Sequence, residues 1–139
     1  MKVLIDTNVA LNYLSGRDDP YKEESEEIMR LCAEEQIEGY LAFHSLSTIW
    51  YVTRKLPDDM RREWLKQLCQ VLSIAGADNK AVLRAIENWN FKDFEDNLQD
   101  CCAQTVQADY IVTVNEKDYK NVSTVKALNP KEMLRIING

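Results

Sequence analysis

The sequence predicts an α/β protein, built as three layers, α/β/α, around a short central parallel sheet. Three observations predict it. The apolar runs are short and unbroken, as in Val3-Leu4-Ile5 and Tyr110-Ile111-Val112, which is the pattern of strands buried on both faces. These runs alternate with longer segments of helical periodicity, so helices must cover both faces of the sheet. The length of 139 residues suits a single domain, 1–139, with a real core.

Each element follows in order. Val3–Ile5 is the first strand, and Asp6 lies just past it. Thr7 or Asn8 is expected to cap a short helix over Val9–Leu14, which Ser15-Gly16 ends. Pro20 opens a longer helix with Ser25, Ile28, Met29 and Cys32 on one face. Gly39–Ala42 reads as the second strand. A helix from about Ser45 to Lys55 stops before Pro57. Asp58 or Asp59 caps the next helix, with Met60, Trp64, Leu65 and Leu68 expected inward. Val71–Ile74 reads as a short strand. Asp78 caps a helix with Val82, Ala85, Ile86 and Trp89 expected inward. Asp93 begins another, with Leu98, Cys101, Cys102 and Thr105 at helical spacing. Tyr110–Thr113 is the clearest buried strand after the first, and Thr124–Ala127 an edge strand. Asn129-Pro130 supplies a cap and a first-turn proline for the last helix.

Bulk properties exclude several classes. No apolar run approaches the roughly 18 residues of a membrane span, and Met1-Lys2 leads straight into strand and acid without a signal-peptide pattern. A cytoplasmic protein is the expectation. Cys32, Cys69, Cys101 and Cys102 form no CxxC pair, and the single histidine, His44, is not near them in sequence, so a zinc site is not expected. All four sit on apolar helical stripes and read as reduced core residues. The net charge of −6 argues against a protein that coats nucleic acid, though not against an enzyme that grips a short piece of it. The charge is uneven. Residues 18–38 are strongly acidic, while Arg54, Lys55, Arg61, Arg62 and Lys66, and again Lys117, Lys120, Lys126, Lys131 and Arg135, offer basic faces. The scattered glycines contain no phosphate-binding loop.

Three acids carry the chemistry. Asp6 ends the first strand. Asp96 lies in the first turn of the helix opening Asp93-Phe94-Glu95-Asp96. Asp118 lies in the loop after Ile111-Val112. In an open parallel sheet, strand carboxyl ends share one edge, and sites form there. Three carboxylates meeting at that edge repel, and each raises the others' pKa unless a cation offsets them. An all-oxygen set selects Mg²⁺ or Mn²⁺, which activates water for attack at phosphorus. Plain structural roles compete. Asp6 and Asp93 are natural helix caps, Asp96 stands where it would complete a capping box, and Asp118 fits a turn. Asp93, Asp96 and Asp100 share a helical face that need only be solvated.

Leu4-Ile5-Asp6-Thr7-Asn8, then Asp93-Phe94-Glu95-Asp96-Asn97-Leu98-Gln99, then Ala108 to Tyr119 with its Thr113-Val114-Asn115-Glu116-Lys117-Asp118 core, together resemble the PIN domain. The likeness covers essentially the whole chain in the family's order. It implies the PIN-like α/β/α fold and resembles VapC, the toxin of toxin–antitoxin pairs. The resemblance implies a Mg²⁺- or Mn²⁺-dependent endoribonuclease acting on RNA, a homodimer, and neutralisation by a small antitoxin. It assigns Asp6, Asp96 and Asp118 as metal-site acids, with Asn8 and Asn115 as supporting polar residues and Thr113 shaping the loop.

One departure stands out. The family's glutamate in the helix after the second strand falls on Thr48, which brings a hydroxyl and no charge. A substitute role for Glu95 requires it to swing round from a neighbouring helical position. Tyr119, where phenylalanine is usual, reads as a neutral exchange. The missing glutamate supports a second reading, a PIN relative that binds RNA or a protein without cleaving. A haloacid-dehalogenase phosphohydrolase also begins with a strand ending in Asp, but Asn8 occupies the place of its second aspartate. His44, and Trp50, Tyr51, Trp64 and Trp89, read as structural or packing residues, with the helices around Trp50 and Trp64 the expected dimer face.

Overall fold

Residues 1–139 are described by a computed structural model. Five strands form one parallel sheet in the order β3-β2-β1-β4-β5. They are β1 (Lys2–Ile5), β2 (Glu38–Ala42), β3 (Ser73–Ala75), β4 (Tyr110–Val112) and β5 (Lys126–Leu128). Eight helices connect and cover them: α1 (Thr7–Ser15), α2 (Lys22–Ala33), α3 (Phe43–Val52), α4 (Asp58–Val71), α5 (Asn79–Glu87), α6 (Phe94–Thr105), α7 (Glu116–Tyr119) and α8 (Pro130–Asn138). This is the three-layer α/β/α architecture that the sequence predicts.

The central strand β1 is inaccessible on both faces. Val3 and Ile5 pack on one side with Ile28, Met29, Leu68 and Met133, from α2, α4 and α8. Leu4 and Ile111 point to the other side, with Cys102, Ala103 and Tyr119. The alternation follows from the two-residue period of a strand. It explains why the strand reads as a continuous apolar run. Gly39 in β2 is required by close packing. A Cβ there would stand 2.5 Å from Cys32 Sγ and 2.6 Å from a Leu72 methyl. Gly16 ends α1 in the left-handed conformation, as a C-cap glycine does.

The chain runs β1 to β2 to β3 toward one edge, then crosses to build β4 and β5 on the other. The direction reverses between β1 and β4. The crevice outside their carboxyl ends is the topological switch point, where open α/β sheets bind ligands. Asp6 follows β1 and Thr113 follows β4, so both stand at that crevice.

Several expectations change. α3 spans Phe43–Val52 rather than Ser45–Lys55, and the residue preceding α4 is Pro57 rather than an aspartate. In α4, Met60 is exposed and Arg61 is buried. The Arg61 guanidinium lies 3.5 Å over the Trp50 ring and donates to the Trp50 carbonyl in the last turn of α3. A stacked, hydrogen-bonded guanidinium thus takes the inward place expected for an apolar side chain. In α5 only Ala81 and Ala85 are buried, while Ile86 is exposed and Trp89, two residues past the helix, is 91% exposed. Periodicity marked this helix as amphipathic but not which stripe faced in. Cys32, Cys101 and Cys102 are core residues, whereas Cys69 is exposed. Asp100 is not solvated: it is 2% exposed and accepts the backbone N–H groups of Thr124 and Val125 at 3.0 and 2.9 Å. The Asp118 segment is not a loop but the one-turn helix α7.

Candidate active site

Asp6 serves as both helix cap and site acid. Its carboxylate is 2% exposed. Oδ1 accepts the Thr7 backbone N–H at 2.8 Å, so Asp6 itself, not Thr7 or Asn8, is the N-cap of α1. Its other oxygen, Oδ2, accepts the Thr113 hydroxyl at 2.7 Å across the switch point. That hydroxyl also accepts the Asn115 N–H at 3.0 Å. One threonine thereby orients the acid and fixes the start of the segment after β4.

Asp96 arrives from the opposite wall. Asp93 Oδ1 caps α6 by accepting the N–H groups of Glu95 and Asp96 at 2.8 and 3.3 Å. The expected capping box does not close, because the Asp96 carboxylate turns inward and accepts the Tyr119 hydroxyl at 3.2 Å. Tyr119 is fully buried, its ring edge-on to Phe91 at 6.1 Å between centroids. Its hydroxyl needs a partner there and finds one in the site.

Burial pushes the Asp6 carboxyl up to about 6, and the nearby Glu95 charge adds to that, while the Thr113 and Thr7 hydrogen bonds oppose it. Burial also pushes Asp96 up to about 7, with the Asp6 and Asp93 charges contributing. The Tyr119 hydroxyl is driven far above its ordinary value by burial and by the two carboxylates beside it. No lysine or arginine pairs with this group. The ion pairs are Arg30 with Glu27 and Glu34, Arg61 with Asp58, and His44 with Glu95. The site is therefore a buried, all-oxygen, uncompensated anionic centre. Such a donor set fits a hard divalent cation.

A second polar cluster adjoins it. Glu95 Oε1 accepts the Thr7 hydroxyl and the Gln99 amide, each at 3.0 Å, and lies 3.6 Å from His44 Nε2. Gln99 also donates to Thr7 Oγ1 at 3.0 Å and to Ser45 Oγ at 2.9 Å. These contacts, His44 foremost, hold the Glu95 carboxyl down to about 2. Asp93, Glu95 and Asp96 offer carboxylate oxygens within 4.8 Å of one another.

The other expected residues divide. Thr48 is half-buried, and its hydroxyl donates to the His44 carbonyl of its own helix at 3.4 Å. Asn8 and Asn115 are exposed, and Asn115 takes part through its backbone N–H. Asp118 is exposed on α7, and its carboxylate accepts no hydrogen bond. The fold thus joins Asp6 to Thr113 by a hydrogen bond, sets Asp96 near enough for the Asp6 charge to act on it, and leaves Asp118 outside these contacts.

The PIN-domain family model matches residues 2–117. The chain belongs to the PIN-domain family. Among solved structures, VapBC2 from Rickettsia felis, bound to a promoter DNA fragment, is similar with a TM-score of 0.74 at 17% identity, covering 93% of this chain and 98% of that one. VapBC-1 from nontypeable Haemophilus influenzae gives 0.72 at 14%, covering 94% and 99%. VapC20 of Mycobacterium tuberculosis, described as a toxin that cleaves the sarcin–ricin loop, gives 0.59 at 14%, covering 78% and 86%. At these identities the likeness is one of fold. No curated protein matches the chain.

Within this PIN domain, sequence reasoning missed Tyr119, Gln99 and Ser45. Tyr119 carried a readable signal: a tyrosine in an apolar setting brings a hydroxyl that must be satisfied. Glu95 and Gln99 stand at i and i+4 on one helix face, a second signal. Ser45 carried none, because its role depends on how α3 packs against α1.

Proposed function

We propose that this PIN domain is a Mg²⁺- or Mn²⁺-dependent endoribonuclease, the cytoplasmic toxin of a toxin–antitoxin pair, which acts on RNA, associates as a homodimer and is neutralised by a small antitoxin. One observation carries the reading. Asp6 and Asp96 are buried together at the switch point, each raised in pKa, with no side-chain cation to offset them. Isolated buried carboxylates are costly, and a bound dication removes that cost.

Asp6 and Asp96 would hold the metal, with Asp118, exposed on α7, as a further acid of the set. When bound, Mg²⁺ or Mn²⁺ would neutralise the acids and polarise water and phosphate for in-line attack. The chain's own residues do the positioning. Thr113 and the Thr7 N–H fix both oxygens of Asp6. Tyr119 fixes one oxygen of Asp96. Phe43 and Phe94 are exposed beside His44 and Glu95, where stacking surfaces for unpaired bases are useful. The VapBC folds among the similar structures support an antitoxin partner.

The test is cleavage of structured RNA by the purified chain with Mn²⁺ or Mg²⁺. The expected result is cleavage that EDTA stops and that Asp96→Asn reduces at least about a hundredfold, as loss of a charge-stabilising group does. RNA binding without cleavage would favour the second reading, a non-cleaving PIN relative. The observation behind that alternative is Thr48, whose hydroxyl is committed to its own helix.

A further inference from the structure

We propose that Glu95 is a third carboxylate of the metal site, supplied by α6 in place of the acid that α3 lacks. This inference rests on the metal-dependent reading above. Thr48 brings no charge, and its hydroxyl is bonded to the His44 carbonyl. Yet the first turn of α3 does face a carboxylate, that of Glu95, which lies 3.6 Å from His44 Nε2.

Glu95 is held for such a role. The hydroxyl of Thr7 and the amide of Gln99 anchor Oε1, each at 3.0 Å. Thr7 follows Asp6 directly, so the same residue that caps against one acid orients another. The second oxygen, Oε2, has no hydrogen-bond partner, and the side chain is 37% exposed. One oxygen fixed and one free is the arrangement of a carboxylate prepared for a ligand. Oxygens of Asp93, Glu95 and Asp96 already fall within 4.8 Å. Mg²⁺ bonds of about 2.1 Å place opposed ligands about 4.2 Å apart, so a small contraction suffices. Asp93 is the lesser candidate of that trio, since it is the exposed member.

A second observation comes from the neighbouring amide. Gln99 is fully buried, and its carbonyl oxygen has no donor. An orphaned buried acceptor on the amide that anchors Glu95 is the kind of atom that a cation's hydration shell satisfies.

Calorimetric Mn²⁺ titration of the wild type, E95Q, D96N and E95Q/T48E tests this. The expected result is binding by the wild type, loss in D96N, and affinity about tenfold or more weaker in E95Q, the scale of losing a group that supports a metal. Returning the charge to α3 in E95Q/T48E is expected to recover part of the affinity. Carboxyl ¹³C NMR of the wild type during Mg²⁺ titration adds a readout free of mutation, with Glu95 and Asp96 signals shifting together. Wild-type affinity in E95Q, or a Glu95 signal that stays still while Asp96 moves, overturns this inference and leaves the metal reading intact. A wild type that binds no Mn²⁺ overturns both.

Discussion

Asp6 and Asp96 invert the usual relation between carboxylates and stability. Their pKa values are raised in the fold, to about 6 and about 7, above the ordinary value of 3.8. Between those limits the folded state binds more protons than the unfolded chain, so the metal-free protein loses stability as pH rises from about 4 to 7. Glu95 acts oppositely, but its window lies lower, between its folded value of about 2 and its ordinary 4.5. The metal-free protein is therefore expected to melt higher at pH 5.5 than at pH 7.5. Asp96→Asn is expected to flatten that dependence and to stabilise the metal-free protein at pH 7.5 by roughly 1–3 kcal/mol. Thermal melts in chelator check both. Tyr119→Phe removes the hydroxyl that lowers Asp96. Its expected effect is an intact fold with the Asp96 pKa raised further, read by carboxyl ¹³C NMR. A phenylalanine there is thus compatible with the fold but not equivalent for the site.

The elements show which local rules decided their placement. α8 closes a full capping box, Asn129 accepting the Glu132 N–H at 2.9 Å while Glu132 accepts that of Asn129 at 3.2 Å. Asn129→Ala is expected to cost about 1 kcal/mol in urea denaturation. Asp100 matters more, because it satisfies two backbone N–H groups in the segment that leads into β5. Asp100→Ala leaves both without a partner and is expected to cost about 2–3 kcal/mol, with the loosened segment read by amide exchange at Val125. The strands, and the caps Asp78, Asp93 and Asn129, were legible because a short apolar run has few other homes and an Asp or Asn before a helix has few other uses; the caps of α1 and α4 were not, since Asp6 and Pro57 hold those places. The positions of Asp6 and Asp96 were legible because strand ends and helix starts dictate where side chains arrive, whereas Thr113 was picked out by the resemblance alone. Arg61 and Asp100 were not. Charged residues are buried only when a specific partner waits, and those partners, the Trp50 ring and the backbone of residues 124–125, are distant in sequence.

For the whole molecule, sheet order turns the separated motifs into one site. β1 and β4 are neighbours although more than a hundred residues separate them, and that pairing brings Thr113 within 2.7 Å of Asp6. Right-handed parallel connections restrict the arrangements enough to expect such a meeting, but not its hydrogen bonds. The surface is acidic overall, at −6; Trp50 and Trp64 are half-buried, while Phe43, Tyr51, Val52 and Met60 on the same two helices, α3 and α4, are exposed. Other exposed apolar residues include Leu83 and Ile86 on α5, Trp89 just after it and Phe94 at the start of α6.

Everything proposed for this molecule requires that the buried Asp6 and Asp96 carboxylates bind a divalent cation. Mn²⁺ titration by calorimetry, on the wild type and on Asp96→Asn, tests it most directly because no RNA substrate need be known. The expected result is saturable binding to the wild type that disappears in the variant, and tighter binding at pH 7.5 than at pH 5.5, where protons compete for both carboxylates. Absence of wild-type binding up to millimolar Mn²⁺, or equal binding by Asp96→Asn, would contradict it.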